Sequence, residues 1–309
     1  GALALWWGWG AGGTRRSALL AGVLVALAVF ALAALLLPWA LQASEGLAGR
    51  ALVERLQHAE SSCGSRLVLW RNVLQLIGLK PWTGWGWGEL AYAHYITLYQ
   101  GERFCHILDN AHNLPLHLAV ELGLPLALLA CAALAWGLWR GRPWAERDPT
   151  RQLAWGVLAV IGLHSGVEYP LWYGPFQIAV LICFWLLWAT GQRRSSASSY
   201  QKDTEPGAPG GLRLSVAALL LGAVAYAGWD YRRISQIYLP TEQRAAAYQG
   251  DAMAHARRSW LYADAVRFAD VTTRSAVSAN ADWLLPEALQ ALHFSPEPRV
   301  ITRVIESAT

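Results

Sequence analysis

Lys80-Pro-Trp-Thr-Gly-Trp-Gly-Trp-Gly-Glu-Leu90 and, further on, Asp109-Asn-Ala-His-Asn-Leu-Pro-Leu-His-Leu-Ala-Val-Glu-Leu-Gly123 fall where one long apolar run, Ser17 to Leu41, has ended and the next, Leu114 to Trp139, begins. The stretch is therefore non-membrane sequence held at a membrane surface. Its second half reads as a helix start. Asn113 is a good N-cap, and Pro115 falls in the first turn, where a missing N–H costs nothing. His112 then sits one residue outside the positive end of a helix that goes on into the bilayer. An imidazole beside unsatisfied backbone N–H groups could handle an anionic group such as a phosphate. The plain alternative is a surface histidine that happens to precede a helix.

Working outward, the 309 residues are 55% hydrophobic and only 15% charged, with 18 Trp. Soluble domains carry roughly 25% charged residues, so the composition is that of a membrane protein. The net charge of +4 sits mostly in short loops, which points to topology rather than nucleic-acid binding. The chain starts on Gly1 inside an apolar segment and ends at Thr309 inside an amphipathic pattern. On that pattern it reads as a fragment of a longer protein.

The expected fold class is all-α: a polytopic transmembrane helical protein with a large periplasmic loop and a helical C-terminal tail. Residues 1–41 hold the end of one membrane helix (Gly1 to Gly10), a basic loop at Thr14-Arg15-Arg16 and a second span. Residues 42–113 form the large outer loop. Residues 114–190 hold three spans: Leu114 to Trp139, then Gln152 to Tyr169 and Pro175 to Thr190 as a hairpin. A linker over 191–211 leads to the last span, 212–229, and the tail, 230–309. In the tail, helices are expected over Tyr231 to Leu239, Glu242 to Arg274, Asp282 to His293 and Pro298 to Glu306. Tetratricopeptide-type pairing is compatible with these helices, but a repeat of about 34 residues cannot be demonstrated in so short a piece. The clusters Arg15/Arg16, Arg140/Arg142/Arg147/Arg151 and Arg193/Arg194/Lys202/Arg213 share one side when the spans alternate. Placing them in the cytoplasm obeys the positive-inside rule and puts the loop, the 170–174 turn and the tail outside.

Among residues able to carry chemistry, Arg66 and Arg71 flank Trp70 in Ser-Arg-Leu-Val-Leu-Trp-Arg, a segment suited to an interfacial helix. A guanidinium fork matches phosphate bidentately; anchoring to lipid headgroups is the competing use. Trp85, Gly86, Trp87 and Gly88 follow Gly84, but without the spacing or context of a dinucleotide fingerprint. The glycines would let backbone approach a ligand, and the Trp rings could stack on sugars or simply mark the headgroup level. In His-Ser-Gly-Val-Glu-Tyr-Pro-Leu-Trp-Tyr, His164 and Glu168 stand at i, i+4 next to Tyr169. They form either a structural pair or a second wall of the site. Cys131 and Cys183 lie inside spans; Cys63 and Cys105 both fall in the outer loop, where a disulfide is an open hypothesis. No HExxH and no Cys/His ligand spacing stands out, and the outer loop has no DxD-like pair, so a mechanism without metal or cofactor is preferred.

These pieces resemble the O-antigen ligase/polymerase superfamily, and most of all its O-linked oligosaccharyltransferase branch. The resemblance rests on Arg66-x3-Trp70, Pro81-Trp-Thr-Gly84-Trp-Gly86-Trp-Gly88, Asn110-Ala-His112-Asn113, Glu121-Leu-Gly123 and the His164–Leu171 pattern. It implies a multi-pass enzyme of the bacterial inner membrane, its site on the periplasmic face. Such an enzyme takes an oligosaccharide from undecaprenyl pyrophosphate and passes it to Ser or Thr of a protein such as pilin. By the resemblance, His112 and Arg66 are the catalytic residues. Arg71, added from charge and spacing, joins Asn113, Trp85, Gly86, Trp87, Gly88, His164, Glu168 and Tyr169 as expected substrate contacts. The competing readings are an O-antigen ligase acting on lipid A–core, a repeat-unit polymerase and, from another class, a transporter using His164 and Glu168 as a proton relay. Transporters concentrate polar groups at the midplane of paired repeats, which this pattern lacks.

Overall fold

The computed structural model describes residues 62–198, 210–275, 277 and 280–308, with scattered helical positions between 21 and 36. The expected first membrane helix, the Arg15/Arg16 loop, most of the Ser17–Leu41 span, residues 42–61 and much of the 191–211 linker lie outside the described residues. Those described form helices and turns without a strand. They divide into two units, one holding Leu98–Ser199 with the chain up to Gly86, the other Trp87–Thr97 with Tyr200–Thr309.

In the first unit, α1 (Arg66–Leu79) starts at Ser65, whose hydroxyl accepts the Val68 N–H, a standard N-cap. Its buried residues Val68, Leu69, Asn72, Val73, Leu76 and Ile77 recur at the helical period, so one face is covered. Asn72 is buried on that face and satisfied twice: it donates to the Glu102 carbonyl (3.0 Å) and accepts the Phe104 N–H (2.8 Å). A Cys63–Cys105 disulfide ties the same segment to the start of α1, so the pairing left open by the sequence is made.

The second unit contains α2 (Leu90–Ile96), cut from the expected outer loop. Tyr92 and Tyr95 on α2 pack against the tail core of Phe268, Val271, Leu284, Ala288, Ala291, Leu292 and Val300. Glu89 adds a 2.8 Å contact to His293, on which Tyr92 stacks. A loop segment therefore folds with the tail.

The expected span from Leu114 to Trp139 is corrected. It is two helices, α3 (Leu114–Leu122) and α4 (Leu124–Gly141), broken at Gly123. Gly123 has φ +84°, and a Cβ there would stand 2.3 Å from the Trp82 carbonyl oxygen. Gly84, at φ +66°, meets the Glu121 carbonyl in the same way at 2.3 Å. The Gly84 and Gly123 backbones thus cross at a distance no side chain permits. Trp85 N–H to Val120 O and Gly86 N–H to Glu121 O, both 2.9 Å, lock the crossing. The approach that glycine allows here is to backbone.

The hairpin is α5 (Pro149–His164), capped by Asp148, and α6 (Gly174–Ser198). Two stretches, Leu124–Ala145 and Gly174–Gly191, are long and apolar enough to cross a membrane. At 16 residues α5 is shorter than the roughly 20 a span requires, because Ser165 and Gly166 end it before the expected Tyr169. The last expected span lies within α7 (Gly210–Ser235), which runs past Trp229 into the tail. The expected continuous helix from Glu242 to Arg274 is also corrected. It is short 3-10 turns, α8 (Ala252–Ala256) and α9 (Ala263–Thr273). Asp251, after Gly250, caps α8 by accepting the Ala254 N–H, so the alanine spacing is interrupted by a new helix start. Then α10 (Ala281–Phe294) packs on α9 and on α11 (Pro298–Ala308).

Candidate functional site

The residues before α3 are held by a chain of local bonds. Asn110 Oδ1 accepts the His112 N–H at 2.9 Å, an Asx turn. Ala111 is fully buried, and its carbonyl accepts from Trp70 Nε1 at 3.0 Å, pinning the segment to α1. Between these restraints His112 takes φ +49°. A left-handed conformation costs a non-glycine residue roughly 1–2 kcal/mol and persists where surroundings over-determine it.

Asn113 caps α3 as expected, accepting the Leu116 N–H at 3.0 Å, with Pro115 in the first turn. Its amide also donates to the Gly166 carbonyl (2.9 Å), and the Leu114 N–H donates to Ser165 O (2.8 Å). The expected open N–H groups at this helix end are therefore taken: Leu114 and Leu116 are bonded, and Pro115 has none. What the end still offers an anion is its dipole.

Those bonds attach the turn after α5 to the start of α3, and Glu168 emerges from that turn. Its Oε2 lies 2.7 Å from His112 Nδ1, and its Oε1 accepts from Arg66 NH2. Arg66 NH1 donates to the Val167 carbonyl. One carboxylate thus joins residues 66, 112 and 168. Burial pushes the Glu168 carboxyl up, but hydrogen bonds from His112 and Arg66, and the charges of both, outweigh it and hold it below the usual carboxylate range. The side chains stay accessible: Arg66 is 47% exposed and His112 27%.

Tyr169 sets its ring edge-on to His112 at 4.8 Å and stacks on Tyr173. Its phenol is pushed up to about 12 by a hydrogen bond with Tyr173, then by burial and the fields of Tyr173, Asp109 and Glu168. It can donate near neutral pH but cannot act as a base. His164 is exposed, its ring edge-on to Phe176. No ion pair joins it to Glu168 among the described residues: the Glu168 N–H still donates to the His164 carbonyl just past the end of α5 (2.8 Å), but the Glu168 carboxylate goes to Arg66 and His112. Trp85 donates its indole N–H to Leu76 O (2.9 Å) and carries the Lys80 ammonium over its ring at 4.2 Å. Arg71 is exposed on α1, about 140° around the helix from Arg66, and does not touch the cluster. Trp87 and Gly88 fall in the second unit.

His117 and Glu121, a pairing missed in the sequence although Glu121 stood in one of the quoted motifs, form a buried i, i+4 pair on α3, 3.4 Å apart, with side chains 3% and 2% exposed. Burial lowers the His117 pKa to about 4 against the opposing charge of Asp109, so the ring is neutral near pH 7. It meets Trp172 edge-on at 4.9 Å. The available signal was His/Glu spacing, the same clue read at 164 and 168. Among the described residues no three His, Cys, Asp or Glu side chains gather as metal ligands would.

Comparison with known proteins matches residues 1–131 to a family described as O-antigen ligase. Residues 152–309, about half the chain, match one described as virulence factor membrane-bound polymerase, C-terminal. A general O-oligosaccharyltransferase of Acinetobacter baylyi is 30% identical over 118 residues. That match takes in 37% of this chain and 20% of the relative, so the chain spans about a fifth of the relative's length. No solved structure matches.

Proposed function

Because this chain belongs to the family of O-antigen ligases and membrane-bound polymerases, we propose that it is a membrane glycosyltransferase that moves an oligosaccharide from undecaprenyl pyrophosphate to a Ser or Thr hydroxyl of an exported protein such as a pilin. Its place is the bacterial inner membrane, with the site on the periplasmic face. The observation that carries the reading is the Glu168 carboxylate held between the His112 imidazole and the Arg66 guanidinium.

The chemistry follows from proton positions. An ionised carboxylate can only accept, so the His112–Glu168 contact puts the proton on Nδ1 and leaves the lone pair on Nε2. The acceptor hydroxyl loses its proton to Nε2 as its oxygen attacks the anomeric carbon. The bond from that carbon to the diphosphate oxygen breaks, and its electron pair leaves with the lipid diphosphate. A single displacement inverts the anomeric centre. Glu168 keeps the ring oriented and stabilises the imidazolium that forms, and general-base catalysis of this kind is worth about 10²–10⁴-fold. Arg66 spends part of its fork on Glu168 and Val167 O; its remaining N–H groups, on a half-exposed side chain, receive the charge growing on the diphosphate. The α3 dipole adds to this without donating a hydrogen bond.

The protein-acceptor reading is supported by the name of the partial relative. Transfer to lipid A–core is supported by the O-antigen ligase match. Reconstitution of the full-length protein with a lipid-linked oligosaccharide, a pilin and lipid A–core separates the two. Glycosylated pilin is the expected product. Sugar on lipid A–core alone overturns the protein acceptor, and transfer to neither overturns the function. His112→Ala should abolish transfer at unchanged protein abundance, whereas wild-type transfer by that variant assigns the base to another group.

A further inference from the structure

The second unit holds a cavity of about 680 Å³ that uses none of the residues of the His112 cluster. Its wall is an ion-pair lattice on α9, α10 and the turn after α8. Arg257 grips the Asp270 carboxylate bidentately, Nε at 2.8 Å and NH2 at 3.0 Å. Arg274 reaches the same carboxylate from the other side. Asp270 is nearly buried at 8% side-chain exposure, while the two arginines are each 44% exposed. Across the cavity Arg267 bridges Glu287 (3.0 Å) and Asp264 (2.7 Å). Trp283 stands beside them, 39% exposed, with the Arg274 guanidinium 5.2 Å from its ring centroid.

Charge decides among the ligands such a wall could take. Three guanidiniums on the wall meet two carboxylates there, Asp270 and Glu287, and Arg267 also pairs with the exposed Asp264 just off the lining, so each guanidinium is already matched by a carboxylate and none stands alone to select a polyanion. The lattice instead presents N–H donors directly beside carboxylate lone pairs, fixed in place by their mutual bonds. A sugar hydroxyl donates and accepts at once, so neighbouring hydroxyls on a ring match this alternation. The ring of Trp283, 39% exposed, gives the C–H face of a pyranose a flat apolar surface. The volume lies within the range of about 300–1,000 Å³ for small-molecule sites and accommodates roughly two or three sugar rings.

We propose that this cavity is a glycan-binding subsite in the C-terminal tail, holding a short uncharged stretch of oligosaccharide between the Arg257–Asp270–Arg274 clamp, Arg267–Glu287 and Trp283. The inference rests on the glycosyl-transfer reading only for the use of the subsite. The sugar can come from the lipid-linked donor or from a glycan already on the acceptor, and the chemistry of recognition is the same.

The test is binding, with no transfer step. The purified full-length protein in detergent is titrated with three probes and followed by saturation-transfer NMR and calorimetry. The probes are oligosaccharide released from the lipid-linked donor, core oligosaccharide released from lipid A, and an acidic peptide of similar size. Saturable binding of either oligosaccharide is expected, and which one binds identifies the source. Trp283→Ala should weaken it at least about tenfold, and Trp283→Phe, which keeps a flat face, should retain most of it. Neither substitution touches the buried tail core. Absence of saturable sugar binding, wild-type binding by Trp283→Ala, or displacement of the sugar by the peptide each overturns the proposal. Because His112 takes no part in the measurement, failure here leaves the transfer chemistry standing, and failure of transfer leaves the subsite standing.

Discussion

Acidification should loosen α3 through one buried ring. His117 is 3% exposed, and burial lowers its pKa to about 4 from an ordinary 6.5. The folded protein therefore keeps the ring neutral over a range in which the unfolded chain takes up a proton. Stability contributed by His117 is fully present above pH 6.5, declines as pH falls from 6.5 to about 4, and has gone below that. Each tenfold difference in proton affinity is about 1.4 kcal/mol, so the full effect is about 3 kcal/mol. The carboxylates of the protein titrate over part of the same window, so the wild-type curve alone is not informative. His117→Gln keeps a polar group beside Glu121 and removes the titration. Denaturant midpoints of the detergent-solubilised proteins should be measured at intervals from neutral pH down to about 4. The wild type should lose about 3 kcal/mol more than the variant across that window. Parallel curves would refute the reasoning and mean that His117 is not held neutral. The consequence for the site is direct, because α3 begins at Leu114, is capped by Asn113 and has His112 immediately before the cap.

Further outcomes test the geometry. Glu168→Gln keeps the shape of the carboxyl but removes the charge that fixes Nδ1–H and pairs Arg66. Transfer should fall about 10²–10⁴-fold, read as turnover at saturating donor, and Arg66→Lys should also be damaging because an ammonium cannot replace the fork. Gly84→Ala places a Cβ 2.3 Å from the Glu121 carbonyl oxygen at φ +66°, which should cost about 2–5 kcal/mol from strain and overlap together. Gly88→Ala meets open space at φ +82° and should cost only the roughly 1–2 kcal/mol of the left-handed backbone. Equal losses in thermal stability for the two variants would remove the backbone-crossing argument.

What could be read in advance follows the range of the signal. The start of α3 was legible because capping is local: Asn113 and Pro115 suffice. The break at Gly123 was not, since apolar composition runs unbroken from Leu114 to Trp139 and hydropathy carries no information about φ. The tail shows the same limit, for alanine spacing continues through residues 242–274 while Gly250 and Asp251 interrupt the backbone. Two His/Glu pairs share the i, i+4 spacing, yet among the described residues only the His117 and Glu121 side chains pair, because the Glu168 carboxylate goes to more distant groups although its N–H still donates to the His164 carbonyl. The partners it meets instead are 102 residues distant at Arg66 and 56 at His112. No period or local motif specifies such a meeting; the family resemblance supplied Arg66 and His112, the sequence offered Glu168 as a second wall of the site or a partner of His164, and its place between Arg66 and His112 emerged from the fold.

The structure also moves the burden of anion recognition. The sequence divided it between open N–H groups beside His112 and the Arg66 and Arg71 guanidiniums, but Leu114 donates to Ser165 O, Leu116 to Asn113 Oδ1, Pro115 has nothing to donate, and Arg71 stands apart from the cluster. A helix end whose donors are all engaged contributes only its dipole, worth typically 0.3–1 kcal/mol when exposed, by the usual order of magnitude. A charge-assisted guanidinium–phosphate fork is stronger and directional. On the proposed mechanism the diphosphate is then met mainly by Arg66, and since Arg66 also holds Glu168, the group that would receive the leaving charge is mechanically tied to the group that would orient the base.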